Sequence, residues 1–149
     1  MGVDQLTGTV YVDSNIIIYI VEQEPRYHST LLSLLAHAAS GQIQLITSAL
    51  SVLECCITPL RSADSNLLND YRLILFHSDI TLVPIGVDIL WEAASLRAQY
   101  PALRTPDAIH WATARIEQAN YLLTNDQNLL RFVGPMGISP DQFTTQPSN

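Results

Sequence analysis

Four carboxylates stand where a chain of alternating strands and helices would gather them: Asp13, Glu54, Asp107 and Asp126. Asp13 ends the first apolar run, Val10-Tyr11-Val12-Asp13-Ser14-Asn15, and Asp126 ends the last strong one, Tyr121-Leu122-Leu123-Thr124-Asn125-Asp126. Glu54 interrupts an apolar helical pattern, with Leu50 at i−4 and Ile57 at i+3. Asp107 opens another helix in Thr105-Pro106-Asp107. Acids brought together repel, and a divalent cation is the usual compensation. The chemistry that suits such a set is metal-dependent phosphoryl transfer, in which carboxylate oxygens hold a hard ion and the ion does the electrostatic work.

The segments between the acids must carry them to one place. A short buried strand is expected over 9–12, then a helix over 15–21 that Glu22-Gln23-Glu24-Pro25 interrupts. Leu31, Leu32, Leu34, Leu35 and Ala38 recur at helical spacing, which predicts a helix over 26–39 stopped by Gly41. A second strand follows over 43–46. Thr47 or Ser48 then caps a helix ending near 58, ahead of Pro59. The spacing of Leu67, Leu68, Tyr71, Ile74 and Leu75 predicts a helix over 64–77. A third strand is expected over 80–84, helices over 87–100 and 106–118, the second with Pro at its first position, a fourth strand over 121–124 and a short helix over 126–132. The tail from Gly134, rich in Pro, Gly and polar residues, is expected to add a small edge strand and then fray.

Strands joined by helical crossovers pair in parallel and are covered on both faces. The expected fold is therefore α/β: three layers, α/β/α, around a parallel sheet of four to five strands. One domain over 1–149 accounts for it, with a partly ordered tail over about 134–149. Sites in open parallel sheets form outside the carboxyl ends of the strands. Asp13 and Asp126 follow strands directly, and helices that run back along the sheet start at the same edge, which brings Glu54 and Asp107 there. Each acid also has a plainer role: Asp13 and Asp126 suit helix N-caps, and Asp107 suits the positive end of a helix dipole. Glu54 is hardest to explain that way, because an unpaired Glu is seldom set in an apolar helical face.

Composition narrows the partners. With 149 residues, 48% of them hydrophobic, the chain can bury one core. No apolar stretch approaches the ~20 residues that cross a bilayer. Met1-Gly2-Val3-Asp4 lacks the basic start of a signal peptide, and Leu6 stands where a myristoylation motif wants Ser or Thr. The expected compartment is the cytoplasm, without membrane association. Cys55 and Cys56 are adjacent, which suits neither an ordinary disulfide nor a zinc site. A net charge of −7 argues against a general nucleic-acid binder with a basic face. All seven basic residues are Arg. Arg104 and Arg131 adjoin two of the acidic motifs and are candidates for holding phosphates, while a bound metal would reverse the field locally. His110 lies three residues after Asp107 on one helical face, which is metal-ligand geometry. It reads as a polar or packed helix residue, because the acids already suit a hard ion. Trp91 and Trp111, at helical positions, read as core. His28, His37 and His77 show no ligand spacing.

Taken in order, the motifs resemble those of PIN-domain nucleases, especially VapC-type toxins of toxin–antitoxin pairs. Val10-Tyr11-Val12-Asp13-Ser14-Asn15 with Ile16-Ile17-Ile18-Tyr19 is similar to their opening. Thr47-Ser48-Ala49-Leu50-Ser51-Val52-Leu53-Glu54 resembles the second motif. Leu103-Arg104-Thr105-Pro106-Asp107-Ala108-Ile109-His110-Trp111-Ala112-Thr113-Ala114 resembles the third, and Leu122-Leu123-Thr124-Asn125-Asp126 the fourth. The resemblance implies an acidic pocket holding Mg²⁺ or Mn²⁺, cleavage of single-stranded or structured RNA, homodimers and inhibition by a cognate antitoxin. It carries over Asp13, Glu54, Asp107 and Asp126 as the acidic set, Ser14 and Thr124 as supporting hydroxyls, and Asn15 as a polar neighbour. Ser14 stands where many members have Thr.

Other acidic-site domains fit less well. A phosphoacceptor receiver would need a Lys, and the chain has none. A haloacid-dehalogenase-like phosphatase would need Asp-x-Asp where Asp13-Ser14-Asn15 stands. A non-catalytic module that kept the fold remains as the alternative. Apolar residues over 16–20 and 67–75 offer either core or a partner surface. Loss of one like charge, as in Asp13→Asn, is expected to abolish cleavage and to stabilise the metal-free protein slightly.

Overall fold

The run Gly-Thr-Val-Tyr-Val has the β-branched and aromatic content that favours an extended, pleated backbone, and it forms the central strand, β1 (Gly8–Val12). In this computed structural model, which describes residues 1–143, four further strands join it: β2 (Ile43–Ser48), β3 (Ile80–Val83), β4 (Tyr121–Leu123) and β5 (Gly137–Ile138). They form one sheet in the order β3-β2-β1-β4-β5, parallel throughout. Seven α-helices flank it among the described residues: α1 (Ser14–Val21), α2 (His28–Ala39), α3 (Leu50–Arg61), α4 (Ser65–Phe76), α5 (Val87–Gln99), α6 (Thr105–Ile116) and α7 (Gln127–Val133).

The pleat sorts side chains into two cores. Val10 and Val12 of β1 face one side, with Ile16 and Ile17 of α1, Leu31 and Leu34 of α2, Cys55 and Cys56 of α3, and Tyr71 and Leu75 of α4. Tyr11, between the two valines, faces the other, with Ile89 and Leu96 of α5, Trp111 and Ala112 of α6, and Leu129 of α7. The fold is thus three layers, helices on both faces of a parallel sheet.

The chain leaves β1 for β2 and β3 on one side, then returns to place β4 and β5 on the other. The direction of winding reverses between β1 and β4, where diverging connections leave a crevice at the carboxyl edge. A backbone bond spans this seam, Asp13 N–H donating to Leu123 O at 3.0 Å, and Thr124 N–H donates to Ile138 O at 3.0 Å, tying the end of β4 to β5.

Several boundaries differ from expectation for physical reasons. α3 continues through Pro59 to Arg61, because a proline in the last turn deletes a single intrahelical bond while its ring is buried. Thr47 does not cap that helix; its hydroxyl donates to Val12 O at 2.7 Å and bonds Ser51 Oγ at 2.8 Å, while Ser48 Oγ accepts from Leu50 N–H at 3.1 Å. α6 starts at Thr105, so Pro106 is its second residue. The edge strand expected in the tail is β5; residues 144–149 of that tail lie outside the described residues. Trp111 is buried, but Trp91 is 77% exposed and is no core residue. It shares an exposed apolar face of α5 with Val87 and Leu90.

Of the two readings of the apolar residues over 16–20 and 67–75, core burial holds for most of them. Ile16 and Ile17 are fully buried, and Leu67, Leu68 and Ile74 pack partly against the core. Within 67–75 Leu73 is exposed, and the other exposed apolar side chains of the helices are Leu32 on α2, Leu53, Ile57 and Leu60 on α3, Phe76 on α4, Val87, Leu90 and Trp91 on α5, and Ile116 on α6. No helix among the described residues is long and apolar enough to cross a membrane.

Candidate active site

Asp13 leaves the end of β1 and caps α1, its Oδ1 accepting the Ser14 N–H at 2.7 Å. Its Oδ2 accepts the Thr124 hydroxyl at 2.7 Å and the Asn15 amide at 3.3 Å. Asn15 also donates to Thr124 Oγ1 at 3.2 Å and accepts from Asn125 N–H at 3.3 Å, stitching the loop after β4 to the start of α1. Thr124 Oγ1 receives the Asp126 N–H at 3.0 Å. The Ser14 hydroxyl stands 3.5 Å from Asp13 Oδ1. The residues that support Asp13 thus come from both sides of the seam between β1 and β4.

The four acids converge on one cleft of about 200 Å³, lined by Asp13, Ser14, Asn15, Glu54, Arg104, Pro106, Asp107 and Asp126. A larger hollow of about 690 Å³, lined by Ser29, Ser33, His37 and Phe143 among others, offers Asp4 as its one acid. Size does not select the site; the donor set does.

The cleft has two halves. In the inner half Asp13 is buried, and Glu54 reaches in from α3 with its side chain 28% exposed. His110 of α6, 1% exposed, stands between them, with Nε2 2.5 Å from Glu54 Oε1 and 3.4 Å from Asp13 Oδ1. Donor atoms of Asp13, Glu54 and His110 lie within 4.8 Å of one another. On its other side the His110 Nδ1 bonds the Tyr11 hydroxyl. Burial, then Asp13, push that phenol well above its ordinary pKa, so it stays protonated. Burial opposes charge on His110, but the hydrogen bond to Glu54 and the charges of Asp13, Glu54 and Asp107 outweigh it and lift the imidazole above its ordinary value.

In the outer half Asp107, in the first turn of α6, and Asp126, the N-cap of α7, face each other. Asp126 Oδ1 accepts the N–H groups of Asn128 and Leu129 at 2.9 and 3.3 Å. Its Oδ2 accepts from Arg104 Nη2 at 3.1 Å, while Arg104 Nε donates to Asp107 Oδ2 at 3.2 Å. Burial and the nearby Asp126 raise the Asp107 carboxyl above its ordinary value, against the pull of Arg104. The guanidinium is 67% exposed and so is free to leave.

The structure brings Asp13, Glu54, Asp107 and Asp126 to this cleft with Ser14 and Asn15, and Thr124 stands behind it, bonded to Asp13. Arg104 is not a bystander, since it spans two of the acids; Arg131 is exposed on α7. The inference for Glu54 reached the right place by a wrong route: Leu53 and Ile57 beside it are exposed, so α3 buries no continuous apolar face there. Sequence reasoning assigned Tyr11 no role and preferred a polar or packed helix residue to a metal ligand for His110. The signal available was a polar ring on the turn after Asp107, amid Ala108, Trp111, Ala112 and Ala114, all buried.

The donor set fits a hard divalent cation: carboxylate oxygens dominate, and a guanidinium already marks where positive charge is held, between Asp107 and Asp126.

The chain matches the PIN domain family over residues 10–134. No curated protein matches its sequence. Among solved structures, a toxin–antitoxin complex from Klebsiella pneumoniae is 21% identical with a TM-score of 0.66, over 88% of this chain and 97% of that one. VapBC2 from Rickettsia felis, bound to a DNA fragment from its promoter, is 18% identical with a TM-score of 0.70, over 88% and 98%. FitAcB from Neisseria gonorrhoeae is 15% identical with a TM-score of 0.69, over 90% and 99%. At these identities the likeness is one of fold.

Proposed function

The chain belongs to the PIN domain family, and from that premise we propose that it is a metal-dependent endoribonuclease, the VapC-type toxin of a toxin–antitoxin pair. The observation that carries this reading is the convergence of Asp13, Glu54, Asp107 and Asp126 on one cleft from four separate elements. Such a gathering costs folding free energy through mutual repulsion. A binding module with no use for a cation would have no reason to keep it.

Asp13 and Glu54 would hold a Mg²⁺ or Mn²⁺ ion in the inner half, with Asp107 and Asp126 completing its surroundings or holding a second ion. When bound, the ion neutralises phosphate charge and makes a water molecule a competent nucleophile. The chain's own residues prepare the place. Ser14 N–H and the Thr124 hydroxyl fix both Asp13 oxygens. Asn15 ties Asp13 to Thr124 and so sets the spacing between the ends of β1 and β4. Arg104, exposed at the mouth, can exchange its carboxylates for a phosphate of the incoming RNA, an equally good bidentate partner for a guanidinium. Arg131 would add a second phosphate contact. With a net charge of −7, RNA binding rests on these local cations and the metal.

Partners follow from the same reading. The similar solved structures are toxin–antitoxin complexes, which supports a cognate antitoxin here. An antitoxin that inserted a basic side chain between Asp107 and Asp126 would take the place Arg104 now holds. The exposed apolar residues of α3 and α5 suit an antitoxin or a second copy in a homodimer. An RNA substrate and a protein antitoxin fit action in the cytoplasm.

The test is direct. The purified protein is incubated with single-stranded and structured RNAs in Mg²⁺, in Mn²⁺ and in EDTA, beside Asp13→Asn. Discrete fragments with metal, and none in EDTA or with the variant, are expected. Intact RNA throughout, from a folded protein that binds Mn²⁺, would overturn the assignment.

A further inference from the structure

The group that departs from a four-acid site is His110. Its side chain is 1% exposed, and both ring nitrogens are engaged: Nδ1 with the Tyr11 hydroxyl and Nε2 with Glu54 Oε1. The position of the ring hydrogen follows from counting donors. The Tyr11 oxygen accepts the Ser48 N–H at 3.1 Å. Its own hydrogen finds an acceptor in Nδ1, and the Glu54 carboxylate, which accepts and does not donate, calls for hydrogen on Nε2. The ring hydrogen therefore sits on Nε2, facing Glu54 at 2.5 Å with Asp13 Oδ1 3.4 Å away. Nε2 carries hydrogen whether the imidazole is neutral or protonated. A nitrogen in that state has no lone pair for a cation.

We propose that His110 is a positioning residue and not a metal ligand: Tyr11 locks its ring so that Nε2–H holds Glu54 in the cleft beside Asp13. The inference rests on the nuclease reading only for why Glu54 must be held there. Proximity alone would class His110 with Asp13 and Glu54 as a third ligand; hydrogen-bond direction separates it from them. The need for such a device is visible in α3. Glu54 has a long side chain, 28% exposed, on a helix whose neighbouring Leu53 and Ile57 face solvent. The protein contact made by its carboxylate is His110 Nε2. Without that donor the carboxylate would sample rotamers away from the cleft. The relay also runs from the rigid centre of the sheet outward: the Ser48 backbone at the end of β2, Tyr11 in β1, His110 on α6, Glu54 on α3. Four elements thereby fix one oxygen pair. Hydrogen-bonded partners behind metal-binding carboxylates typically contribute 10–100-fold in affinity.

The test uses the full chain, labelled with ¹⁵N-histidine, and reads the ring nitrogens of His110 by NMR with and without Mg²⁺. Expected is a protonated Nε2 and an unprotonated Nδ1, unchanged when Mg²⁺ is added, with the preference blurred in Tyr11→Phe. An Nε2 that is bare, or that loses its hydrogen on addition of Mg²⁺, overturns the proposal and makes His110 a ligand. In parallel, Mn²⁺ binding is followed by electron paramagnetic resonance. His110→Leu should lose about 10–100-fold in affinity, and His110→Gln, which keeps an N–H donor, should recover most of it. Tyr11→Phe preserves the volume of the core and touches no acid, so it serves if the His110 variants do not fold. Wild-type affinity in a folded Tyr11→Phe or His110→Leu protein overturns the proposal as well. A protein that shows the tautomer and the affinity pattern yet leaves RNA intact would sink the nuclease reading alone; an active nuclease with a bare Nε2 would sink this one alone.

Discussion

Asp13→Asn separates two effects that act in opposite directions on the metal-free protein. The variant removes one of several like charges, which favours folding. It also removes the acceptor at the centre of a hydrogen-bond network. Asn serves an N-cap as well as Asp does, so the bond from Ser14 N–H survives. The other oxygen becomes an NH₂ group facing the Thr124 hydroxyl and the Asn15 amide, both of which donate to Asp13 in the wild type. Thr124 Oγ1 already accepts from Asp126 N–H and Asn15 Nδ2, so its own hydrogen loses its acceptor. Two charge-assisted bonds, at roughly 1.5–3 kcal/mol each, are lost or inverted. Against this, two unit charges at the 4.8 Å that bounds the inner cluster repel by about 3.5 kcal/mol at an effective dielectric of ~20. The His110 Nε2–H between Asp13 and Glu54 takes up much of that repulsion. The network wins by about 1–3 kcal/mol, which for a chain of 149 residues is a fall of about 2–10 °C in melting temperature. Composition and charge alone point to slight stabilisation; the structure reverses that sign. Melts and urea titrations of wild type and variant in EDTA measure it, with circular dichroism to show that the variant folds. A variant that melts higher than wild type in EDTA would refute the reasoning and return the balance to charge repulsion.

Asp107→Asn should behave differently, because burial and Asp126 disfavour the charge on Asp107 and its one side-chain bond is to the exposed Arg104. The metal-free variant should melt at or above the wild-type temperature, and a drop of several degrees in parallel melts would contradict this. Arg104→Gln frees Asp107 and Asp126 from the guanidinium, so Mn²⁺ titrated without RNA should bind more tightly; weaker binding would mean that Arg104 supports the site rather than competing for it. Burial pushes both the Cys55 and Cys56 thiols up, most strongly for Cys55. Iodoacetamide should leave them unlabelled in the native protein and label them in urea, and rapid native labelling would show that α3 opens locally.

The acids were legible because three of the four lie at element ends. Asp13 and Asp126 sit where a strand gives way to a helix, and an open parallel sheet sends such positions to one edge whatever the details of packing. Asp107 is tied to the start of α6 by Thr105-Pro106, a local signal. Glu54 was reached through a mistaken premise, the burial of its apolar neighbours. Whether Leu53 and Ile57 are covered depends on where α4 lies against α3, and nothing local to α3 specifies that. Pro59 misled for a related reason: its cost in a helix depends on position, and the position of the last turn was set by the turn that follows, where Asp64 caps α4. Trp91 shows the limit of periodicity. Its spacing is that of a core residue, but the buried face of α5 is the one carrying Ile89, Ala93 and Leu96, and a helix with apolar residues on both faces does not announce which is covered.

The Tyr11–His110 pair was illegible for a deeper reason. The two residues are 99 positions apart, and each has a satisfactory local explanation, a strand aromatic and a helix polar residue. Only their juxtaposition in space turns two ordinary choices into a directed chain of hydrogen bonds. The same logic divides the cleft. In the inner half Asp13 and His110 are buried and multiply bonded and Glu54 is held by His110, so its geometry is set by folding and persists without a cation. The outer half is closed by one exposed guanidinium across two acids, a contact of the kind that contributes little and exchanges readily with water, ions or phosphate. A site that must keep its ligands aligned but admit a large polyanion needs both properties, and they are incompatible in a single cluster. Separating them between the end of β1, backed by α6, and the mouth formed by the starts of α6 and α7 lets rigidity and access coexist.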